Sequence, residues 1–310
     1  MAIIWLPASL YKNHQTCNYS FWEKENRDYT VVNIIKDLHF EDEIESIDIK
    51  FSVDTTCYIY INNKLEINSN IKSYGDFIVD GPNKVFYYGN KNIKINSKNV
   101  SISVFAKSHP TKLYDFSSGN GGFILYGVIH FKNNKDIKFE SDETWKIKLL
   151  KSFSEYELKH DAISQCFVYN QDEDDEDFVN AEIKDYDWKF LDTKIKTTVE
   201  TPIEFNNVIT LKPFERKSFT IEFNHIYSAY LELEASCDGL FFGNIQALEL
   251  QKKCDQFKFK FFKNGKVRFF DLHSIGKLKI SLNNKSNNPA TLKINCYHSY
   301  YPYENIGYIK

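Results

Sequence analysis

Residues 47–65 read Ile-Asp-Ile-Lys-Phe-Ser-Val-Asp-Thr-Thr-Cys-Tyr-Ile-Tyr-Ile-Asn-Asn-Lys-Leu. Apolar side chains alternate with polar ones in residues 47–53, and residues 57–61 form a short apolar run. Both patterns are typical of β-strands, because successive side chains of a strand lie on opposite faces of its sheet. Asn62 and Asn63 follow the second strand, and asparagine tolerates the positive φ that tight turns require. The stretch therefore predicts two strands and a hairpin turn.

Comparable strand patterns recur along the rest of the chain. They cover residues 100–106, 122–131, 218–223, 229–235, 256–262, 277–282 and 291–296. Asn264-Gly265 predicts a second tight hairpin turn, and a weak apolar pattern around residues 32–38 predicts the one helix of the chain. We therefore predict an all-β protein of two β-sandwich domains whose strands are mostly antiparallel.

Composition and length agree with this fold class and suggest a division of the chain. The 310 residues suffice for two domains that each bury a core, and 16% of them are aromatic, which suits pleated surfaces. Residues 151–200 lack a sustained apolar period and contain an acidic run at 172–177, which predicts a solvated loop. We predict a β-sandwich over residues 1–150, an acidic linker with irregular structure over 151–200, and a second β-sandwich over 201–310.

Charge and the amino terminus bear on partners and location. The formal net charge is -3 and lysines are interleaved with acids, so a nucleic-acid-binding surface is not expected. Residues 1–7 lack the basic region and the long apolar run of a signal peptide, and no later run is long enough to span a membrane. The sequence predicts a cytoplasmic protein without a membrane partner, unless a leader peptide precedes it in the native protein.

The cysteines predict neither a zinc site nor a disulfide framework. Six of them are widely spaced, without a Cys-x-x-Cys pair, at positions 17, 57, 166, 237, 254 and 296. Cys57, Cys166 and Cys296 lie in apolar runs, where buried free thiols are common. We predict reduced core cysteines.

Several motifs of the first half resemble the amino-terminal domain of bacterial α-L-rhamnosidase-like glycoside hydrolases. They are Val53-Asp54, the strand and turn at residues 58–64, Gly81-Pro82, the strand at residues 99–104, the glycine-rich residues 119–123, and Asp142 to Lys146. The family pattern has Ala before the Asp and Gly in the turn, so Val53 and Asn63 depart from it.

The second half is similar to the same family in the same order. Residues 273–282 and 289–292 resemble its strand pair, and Tyr301-Pro302-Tyr303-Glu304 with Gly307 resembles the segment that enters the helical catalytic barrel. The resemblance implies that the first domain is a galactose-binding-like β-sandwich. It also implies that the catalytic carboxylates lie in an (α/α)6 barrel, a missing catalytic domain that would follow residue 310.

The function implied by this resemblance is that of a non-catalytic accessory region, which supports the barrel and contacts a carbohydrate such as an L-rhamnose-containing glycan. The chain has no His-Glu-x-x-His array and no Gly-x-Ser-x-Gly elbow, so we predict that it does not catalyse a reaction by itself. Two alternatives stay open. One is a stand-alone lectin-like carbohydrate-binding protein, and the other is a structural protein-interaction module.

Aromatic residues are the candidate sugar platforms, because the face of an aromatic ring matches the apolar face of a pyranose. Tyr74, Tyr87 and Tyr88 lie in or beside a less regular stretch, where loops could display them. Trp145 and Tyr58 lie inside alternating runs. For Trp145 and Tyr58 the competing interpretation is packing in the core. For the three tyrosines of the less regular stretch it is a surface or packing role.

Calcium is the candidate cofactor, since some modules of the resembling family bind L-rhamnose with its help. Asp115, Asn120 and Asp142 flank the glycine-rich segment and offer hard oxygen ligands of the kind that calcium takes. Three scattered oxygens do not by themselves make a site.

Overall fold

The structure of the protein is a computed structural model that describes residues 2–7, 30–54, 56–69, 85–108, 121–155, 166–173, 175, 177–186, 188–192, 197–249, 252–270 and 273–300. Within these ranges the regular elements are β-strands, and they form two mostly antiparallel sheets. The all-β fold class predicted from the sequence is therefore confirmed, and the arrangement is consistent with a β-sandwich. In this part of the chain no helix has the length and apolar character needed to cross a membrane.

The first sheet contains eleven strands, and its main path runs β12-β1-β6-β2-β5-β3-β4. Its strands are β1 (Ile3–Trp5), β2 (Thr30–Asp54), β3 (Thr56–Ile61), β4 (Lys64–Ser69), β5 (Val85–Ser108), β6 (Gly122–Phe131), β7 (Asp136–Glu140), β8 (Lys146–Leu149), β11 (Val179–Asn180), β12 (Glu182–Lys184) and β13 (Lys189–Asp192). All pairings are antiparallel except that of β13 with β5.

The second sheet contains eight strands, and its main path runs β14-β19-β16-β17-β10-β9. Its strands are β9 (Phe153–Glu155), β10 (Cys166–Asn170), β14 (Val199–Pro202), β15 (Val208–Leu211), β16 (Arg216–Glu249), β17 (Lys252–Arg268), β18 (His273–Asn284) and β19 (Ala290–Tyr300). Here β10 and β17 form the parallel pair.

Long, interrupted strands let each sheet build more than one layer. The register between β2 and β5 shifts between His39 and Ile44, in an acidic corner of β2. In the second sheet, residues 216–222 and 241–248 of β16 both pair with β18, one on each side of it. Such shifts bend a strand and increase its twist, so one strand can contribute to two layers.

The helix expected around residues 32–38 is wrong, because this segment lies inside β2. Val32 and Ile34 are fully buried, and the segment pairs with β5 on one side and with β8 on the other. Residues branched at Cβ, such as valine and isoleucine, suit a pleated surface better than a helix. Backbone pairing on both sides therefore outweighs the weak helical pattern.

The hairpin predicted at Asn62 and Asn63 is confirmed. The two residues have φ values of 49° and 64° and join β3 to β4, with Ile61 opposite Lys64. The Asn62 side chain fastens the turn to β5, since its Oδ1 accepts the backbone N–H of Ser101 at 2.8 Å. This turn therefore depends on a side chain as well as on backbone conformation.

Asn62→Ala is expected to lower the free energy of unfolding by about 2 kcal/mol. Alanine has no side-chain hydrogen bond to offset the positive φ of this position, and a Cβ in that conformation costs about 1–2 kcal/mol. The change also removes the hydrogen bond from Ser101, which is worth about 1 kcal/mol. Asn63→Gly is the matched variant and should be neutral or slightly stabilising, because glycine takes positive φ freely. Urea unfolding measures both. Equal losses in the two variants would contradict the assigned role of the Asn62 amide.

The hairpin predicted at Asn264-Gly265 is wrong, because both residues lie inside the continuous strand β17. The register with β16 is interrupted there, and Asn264 Oδ1 accepts the backbone N–H of Cys237 at 2.9 Å. Gln171 Oε1 accepts the backbone N–H groups of Phe262 and Lys263 at 2.8 and 3.0 Å. The Asn-Gly pair thus marks a bulge on which a distant side chain docks.

The described part of residues 151–200 carries six short strands, β9 to β14, the last of which ends at Pro202. Of these, β9, β10 and β14 join the second sheet, whereas β11, β12 and β13 return to the first. The chain therefore passes between the two sheets within the segment that was expected to be an irregular linker. The division into residues 1–150, 151–200 and 201–310 stays a prediction.

Each sheet has its own apolar core, and the two cores meet. The first contains Trp5 and Trp145, and the second contains Tyr230 and Phe257, all fully buried. Tyr58 belongs to β3 of the first sheet but packs within the second core. Full burial of one such side chain contributes about 1.5–3 kcal/mol, so this contact joins the two sheets energetically.

Three cysteines of the described part are free and buried, namely Cys57, Cys237 and Cys296. Burial raises the pKa of the Cys57 thiol and raises that of Cys296 to about 12. The predicted burial of Cys57 and Cys296 as free thiols is confirmed. The side chain of Cys166 lies outside the described residues.

Candidate functional site: a cleft between the two sheets

A cleft of about 520 Å³ lies where the two sheets meet. Strands β2, β3, β5 and β8 contribute one wall, and β9, β10, β16 and β17 contribute the other. The lining residues are Asn33, Tyr58, Tyr60, Asn63, Ser103, Phe105, Lys148, Leu150, Ser152, Phe153, Tyr169, Asp175, Glu232, Lys266, Val267, Arg268 and Phe270. The volume falls within the about 300–1,000 Å³ of typical ligand sites.

Four half-buried aromatic residues give the cleft its apolar surface. Tyr60 meets Phe105 edge to face, with ring centroids 5.8 Å apart. On the opposite wall Phe153 meets Tyr169 in the same way at 5.3 Å. Alternation along β3 brings Tyr60 to the same face as Tyr58. The cleft therefore presents partly exposed aromatic rings from both sheets.

Polar side chains lie between these rings. Ser103 Oγ and Asn33 Oδ1 are hydrogen-bonded at 3.0 Å. Asp175 belongs to the acidic run, and its carboxylate accepts from Ser152 Oγ at 3.2 Å and lies 3.8 Å from Lys148 Nζ. Hydroxyl, amide, carboxylate and ammonium groups thus all face the same space.

A buried arginine joins the two walls at the base of the cleft. Arg268 donates from Nη2 to Glu200 Oε1 at 2.5 Å, and the two side chains are only 7% and 14% exposed. The guanidinium carbon lies 4.9 Å from the ring centre of Tyr58, 5.3 Å from that of Tyr230 and 4.8 Å from that of Tyr297. A guanidinium favours this setting, because it stacks on aromatic faces and is weakly hydrated.

The pair of Arg268 and Glu200 also ties the sheets together through hydrogen bonds. Glu200 of β14 accepts from the Asn68 side-chain amide of β4. The hydroxyl of Tyr58 donates to the backbone carbonyl of Phe269. Burial of the guanidinium acts to lower the pKa of Arg268, but Tyr58 and Glu200 outweigh it and hold the pKa above its usual value. The arginine therefore stays charged and fixed in place.

A second buried carboxylate, that of Glu232, borders the cleft. It is 5% exposed and lies 3.0 Å from Lys266 Nζ. Its Oε1 also accepts from Asn295 Nδ2 at 3.2 Å and from the Tyr297 hydroxyl at 3.1 Å. Three donors satisfy this carboxylate, so we assign it to holding the wall of the cleft rather than to chemistry.

The phenols of the cleft remain protonated at neutral pH. Burial raises the pKa of Tyr60, and burial with the nearby Asp175 carboxylate raises that of Tyr169 to about 12. A protonated phenol both donates and accepts hydrogen bonds. Together with the aromatic faces, this chemistry suits a neutral ligand that has both apolar and hydroxylated surfaces.

Two of the predicted sugar platforms, Trp145 and Tyr88, do not line this cleft. Trp145 is fully buried, and its Nε1 donates to the carbonyl of Glu140 at 3.0 Å, so its role is corrected to core packing. Tyr88 is only 8% exposed, with its ring stacked on Phe190 at 4.8 Å, and its role is corrected in the same way. Core packing is also the role of Tyr58 in this structure.

Tyr74 lies outside the described residues, and so does the side chain of Tyr87, whose backbone pairs with Leu191. Their assignment as platforms stays a prediction. The half-buried cleft rings that sequence reasoning missed include those of Tyr60 and Tyr169. Tyr60 lies two residues after Tyr58 in the opening stretch, and the period of two could have placed it on the same face of the strand as Tyr58.

Of the candidate calcium ligands, Asp115 and Asn120 lie outside the described residues. The third, Asp142, accepts from the backbone N–H of Thr144 at 2.9 Å and from the Thr144 hydroxyl. This carboxylate therefore closes its own turn. In the part of the chain that the structure describes, no cluster of three His, Cys, Asp or Glu side chains could hold a metal ion.

The outer face of the first sheet carries a separate charged cluster around His130. Its Nδ1 lies 2.8 Å from Asp136 Oδ1, and its Nε2 lies 3.0 Å from Asp48 Oδ2. Hydrogen bonds to Asp48 and Asp136 raise the pKa of His130, and the hydrogen bond from Asn92 lowers the pKa of Asp48. Both ring nitrogens are therefore occupied, which describes a surface ion cluster.

The cluster around His130 predicts a shallow dependence of stability on pH. The raised His130 pKa contributes stability that is complete below its ordinary value of 6.5 and is lost as pH rises through the folded-state pKa. The lowered Asp48 pKa contributes stability that is complete above its ordinary value of 3.8, and this stability is lost as pH falls through the folded-state pKa. Because these groups are largely exposed, we expect less than about 1 kcal/mol. Unfolding curves of His130→Gln and the unaltered protein should converge at high pH, and a constant gap would contradict the cluster.

Comparisons with known proteins come from solved structures, since no family model and no curated protein matches the chain. The α-L-rhamnosidase from Dictyoglumus thermophilum matches with a TM-score of 0.60 and 13% identity, over 94% of this chain and 35% of that chain. The α-L-rhamnosidase from Streptomyces avermitilis, solved in complex with L-rhamnose, matches with a TM-score of 0.59 and 9% identity, over 89% of this chain and 29% of that one.

The α-L-rhamnosidase from Aspergillus terreus matches with a TM-score of 0.55 and 10% identity, over 86% of this chain and 34% of that one. The chain thus spans about a third of the length of these enzymes. At such identities the similarity is one of fold. Three of the structural neighbours are thus α-L-rhamnosidases, the family that the sequence motifs resemble.

Proposed function

We propose that this chain is a non-catalytic β-structured region of an α-L-rhamnosidase-like glycoside hydrolase, which supports a catalytic domain and binds carbohydrate in the cleft between its sheets. The observation that carries the proposal is the match of 94% of this chain to 35% of an α-L-rhamnosidase chain. A region of that relative size fits an accessory part of such an enzyme. Shared fold alone does not confer function, so the binding part of the proposal rests on the cleft.

The cleft supports a carbohydrate ligand because it combines stacking surfaces with hydrogen-bonding groups. Tyr60 and Tyr169 offer ring faces from opposite walls. Asn33, Ser103 and Asp175 offer groups that pair with sugar hydroxyls. A pyranose has an apolar face of C–H groups and a rim of hydroxyls, which is the pattern that these walls complement.

The binding test is calorimetric titration with L-rhamnose and a rhamnose-containing oligosaccharide, with and without a calcium chelator. Tyr60→Ala should weaken binding by about tenfold, which corresponds to about 1.4 kcal/mol. Tyr60→Leu keeps part of the apolar volume but loses both the ring face and the hydroxyl, so its binding should also be weakened. Tyr126→Ala is the matched control, because Tyr126 is a half-buried tyrosine on the outer face of the first sheet. Equal binding by all variants would remove the cleft from the proposal.

The link to a catalytic domain is tested by the size of the native polypeptide, detected with an antibody against this chain. A species much larger than 36.5 kDa would support the accessory role. A species of that size would overturn it and leave the lectin-like alternative, in which sugar binding persists without a catalytic partner. The absence of binding to any sugar would favour a protein-interaction module. Fractionation of the source cells tests the proposed cytoplasmic location.

A further inference from the structure

The outer face of the second sheet carries a depression of about 570 Å³, separate from the cleft. Its centre is a row of side chains across adjacent strands. Phe242 of β16 pairs with Lys260 of β17 on one side and with Asn283 of β18 on the other, and Asn283 in turn pairs with Arg216. Adjacent strands are about 4.8 Å apart, so this row of four spans about 14 Å. We call it the Phe242 row.

A second row lies beside the Phe242 row and is polar. Asn244 pairs with Lys258 and with Ser281, and Ser281 pairs with Ser218. The hydroxyls of Ser218 and Ser281 are 3.1 Å apart and hydrogen-bonded to each other. The residues that alternate with these along β16, such as Phe241 and Ile245, are fully buried in the core. The sheet therefore has a dry inner face and, here, a polar outer face with one half-buried ring.

Two amide oxygens in the depression are buried without a hydrogen-bond donor. They are Oδ1 of Asn244 and Oδ1 of Asn283, which flank Phe242. A buried acceptor without a donor destabilises the protein, because the group has given up its hydrogen bonds to water without replacement. A ligand that brings hydroxyl groups to this position would remove that destabilisation. The ring and the two oxygens thus define a position for a hydroxylated ligand with one apolar face.

The charge around the depression is positive. Arg216 and Lys260 are exposed at the two ends of the Phe242 row, and within the described residues neither forms an ion pair. A carboxylate lies near the Lys260 end, since Glu173 accepts a hydrogen bond of 3.1 Å from Nδ2 of Asn170, the residue that pairs with Lys260. An anionic ligand is therefore favoured at the Arg216 end, where the planar guanidinium also matches a carboxylate in a bidentate way.

We infer that this face binds an acidic saccharide, with a uronic acid ring on Phe242, hydroxyls donating to Asn244 and Asn283, and the carboxylate on Arg216. The choice of a saccharide over other carboxylates rests on the proposed carbohydrate-binding function. The position and the charge preference rest on the Phe242 row alone. Lys260 contributes attraction at longer range and makes the binding dependent on salt.

The test is calorimetric titration with trigalacturonate and with its fully methyl-esterified form, which has the same size and no charge. The free acid should bind about tenfold more tightly than the ester, a difference of about 1.4 kcal/mol. Arg216→Gln should remove this difference in affinity. Phe242→Ala should weaken the binding of both ligands. Lys217→Gln is the matched control, since Lys217 lies next to Arg216 on the opposite face and contacts Phe219.

Several results would overturn the inference. Equal affinity for the acid and the ester, or unchanged affinity in Arg216→Gln, would remove the carboxylate site. Full binding by Phe242→Ala would show that the ring plays no part and that charge alone attracts the ligand. No heat with either ligand at about 10 mM would exclude a dissociation constant near 1 mM or below. Tyr60→Ala alters the cleft and should leave these titrations unchanged, so the two binding proposals fail separately.

Discussion

Replacing Arg268 by methionine is expected to lower the free energy of unfolding by about 3–5 kcal/mol, the usual loss when one partner of a buried ion pair is removed. The variant leaves the Glu200 carboxylate, 14% exposed, without its guanidinium partner. It also removes the cation that lies against the rings of Tyr58, Tyr230 and Tyr297. Urea unfolding measures the loss, with the midpoints of the two proteins compared at one shared m-value.

Two further variants separate the causes of this loss. Arg268→Lys keeps the charge but lacks the planar fork, so its loss should be intermediate. The double variant Arg268→Met with Glu200→Gln should recover part of the loss, because no uncompensated charge remains buried. A loss below about 1 kcal/mol in the single methionine variant, the value of an exposed pair, would show that this ion pair is solvated and does not join the sheets.

Replacing Trp145 by alanine is expected to cost about 3–5 kcal/mol, the usual range for a large buried aromatic residue. The side chain is fully buried, its ring lies 6.0 Å from that of Phe123, and its Nε1 is hydrogen-bonded to the Glu140 carbonyl. Removing it leaves a cavity in the first core. Thermal unfolding followed by circular dichroism measures the change in the melting temperature.

Trp145→Phe is the control for this cavity, because it retains most of the apolar volume and loses mainly the indole hydrogen bond. Its cost should be about 1–2 kcal/mol. Sugar titrations with the phenylalanine variant should match those of the unaltered protein. Normal stability of Trp145→Ala together with lost sugar binding would restore Trp145 as a platform and contradict the packing role.

Period-two patterns predicted most strands because burial on one face of a sheet is a local property of the sequence. Residues 122–131 became β6 with the same bounds. The bulge at Asn264-Gly265 was not predictable, because the Gln171 side chain that docks there comes from a distant strand. The segments at 218–223 and 229–235 belong to one strand, β16, which pairs with β18 on both sides of a register shift between Glu222 and Tyr227.

The candidate site was less predictable than the fold, because its residues meet only when the two sheets do. Tyr60 and Arg268 lie far apart in the chain, and Arg268 belongs to none of the motifs. One signal was present. Only three of the 39 basic residues are arginine, at positions 27, 216 and 268. In a chain that otherwise uses lysine, an arginine suggests a need for a planar guanidinium, and two of the three lie at the sites described above.

The insertion of β18 between two parts of β16 has a consequence for synthesis on the ribosome. Residues 216–222 emerge about 55–67 residues before their partners in β18. At about 5–20 residues per second, their backbone hydrogen-bonding groups stay unpaired for roughly 3–13 seconds. An unpaired strand edge invites pairing with another chain, and charged side chains oppose it. Arg216, Lys217 and Glu222 lie along this unpaired edge, so their charges should protect the nascent chain from aggregation.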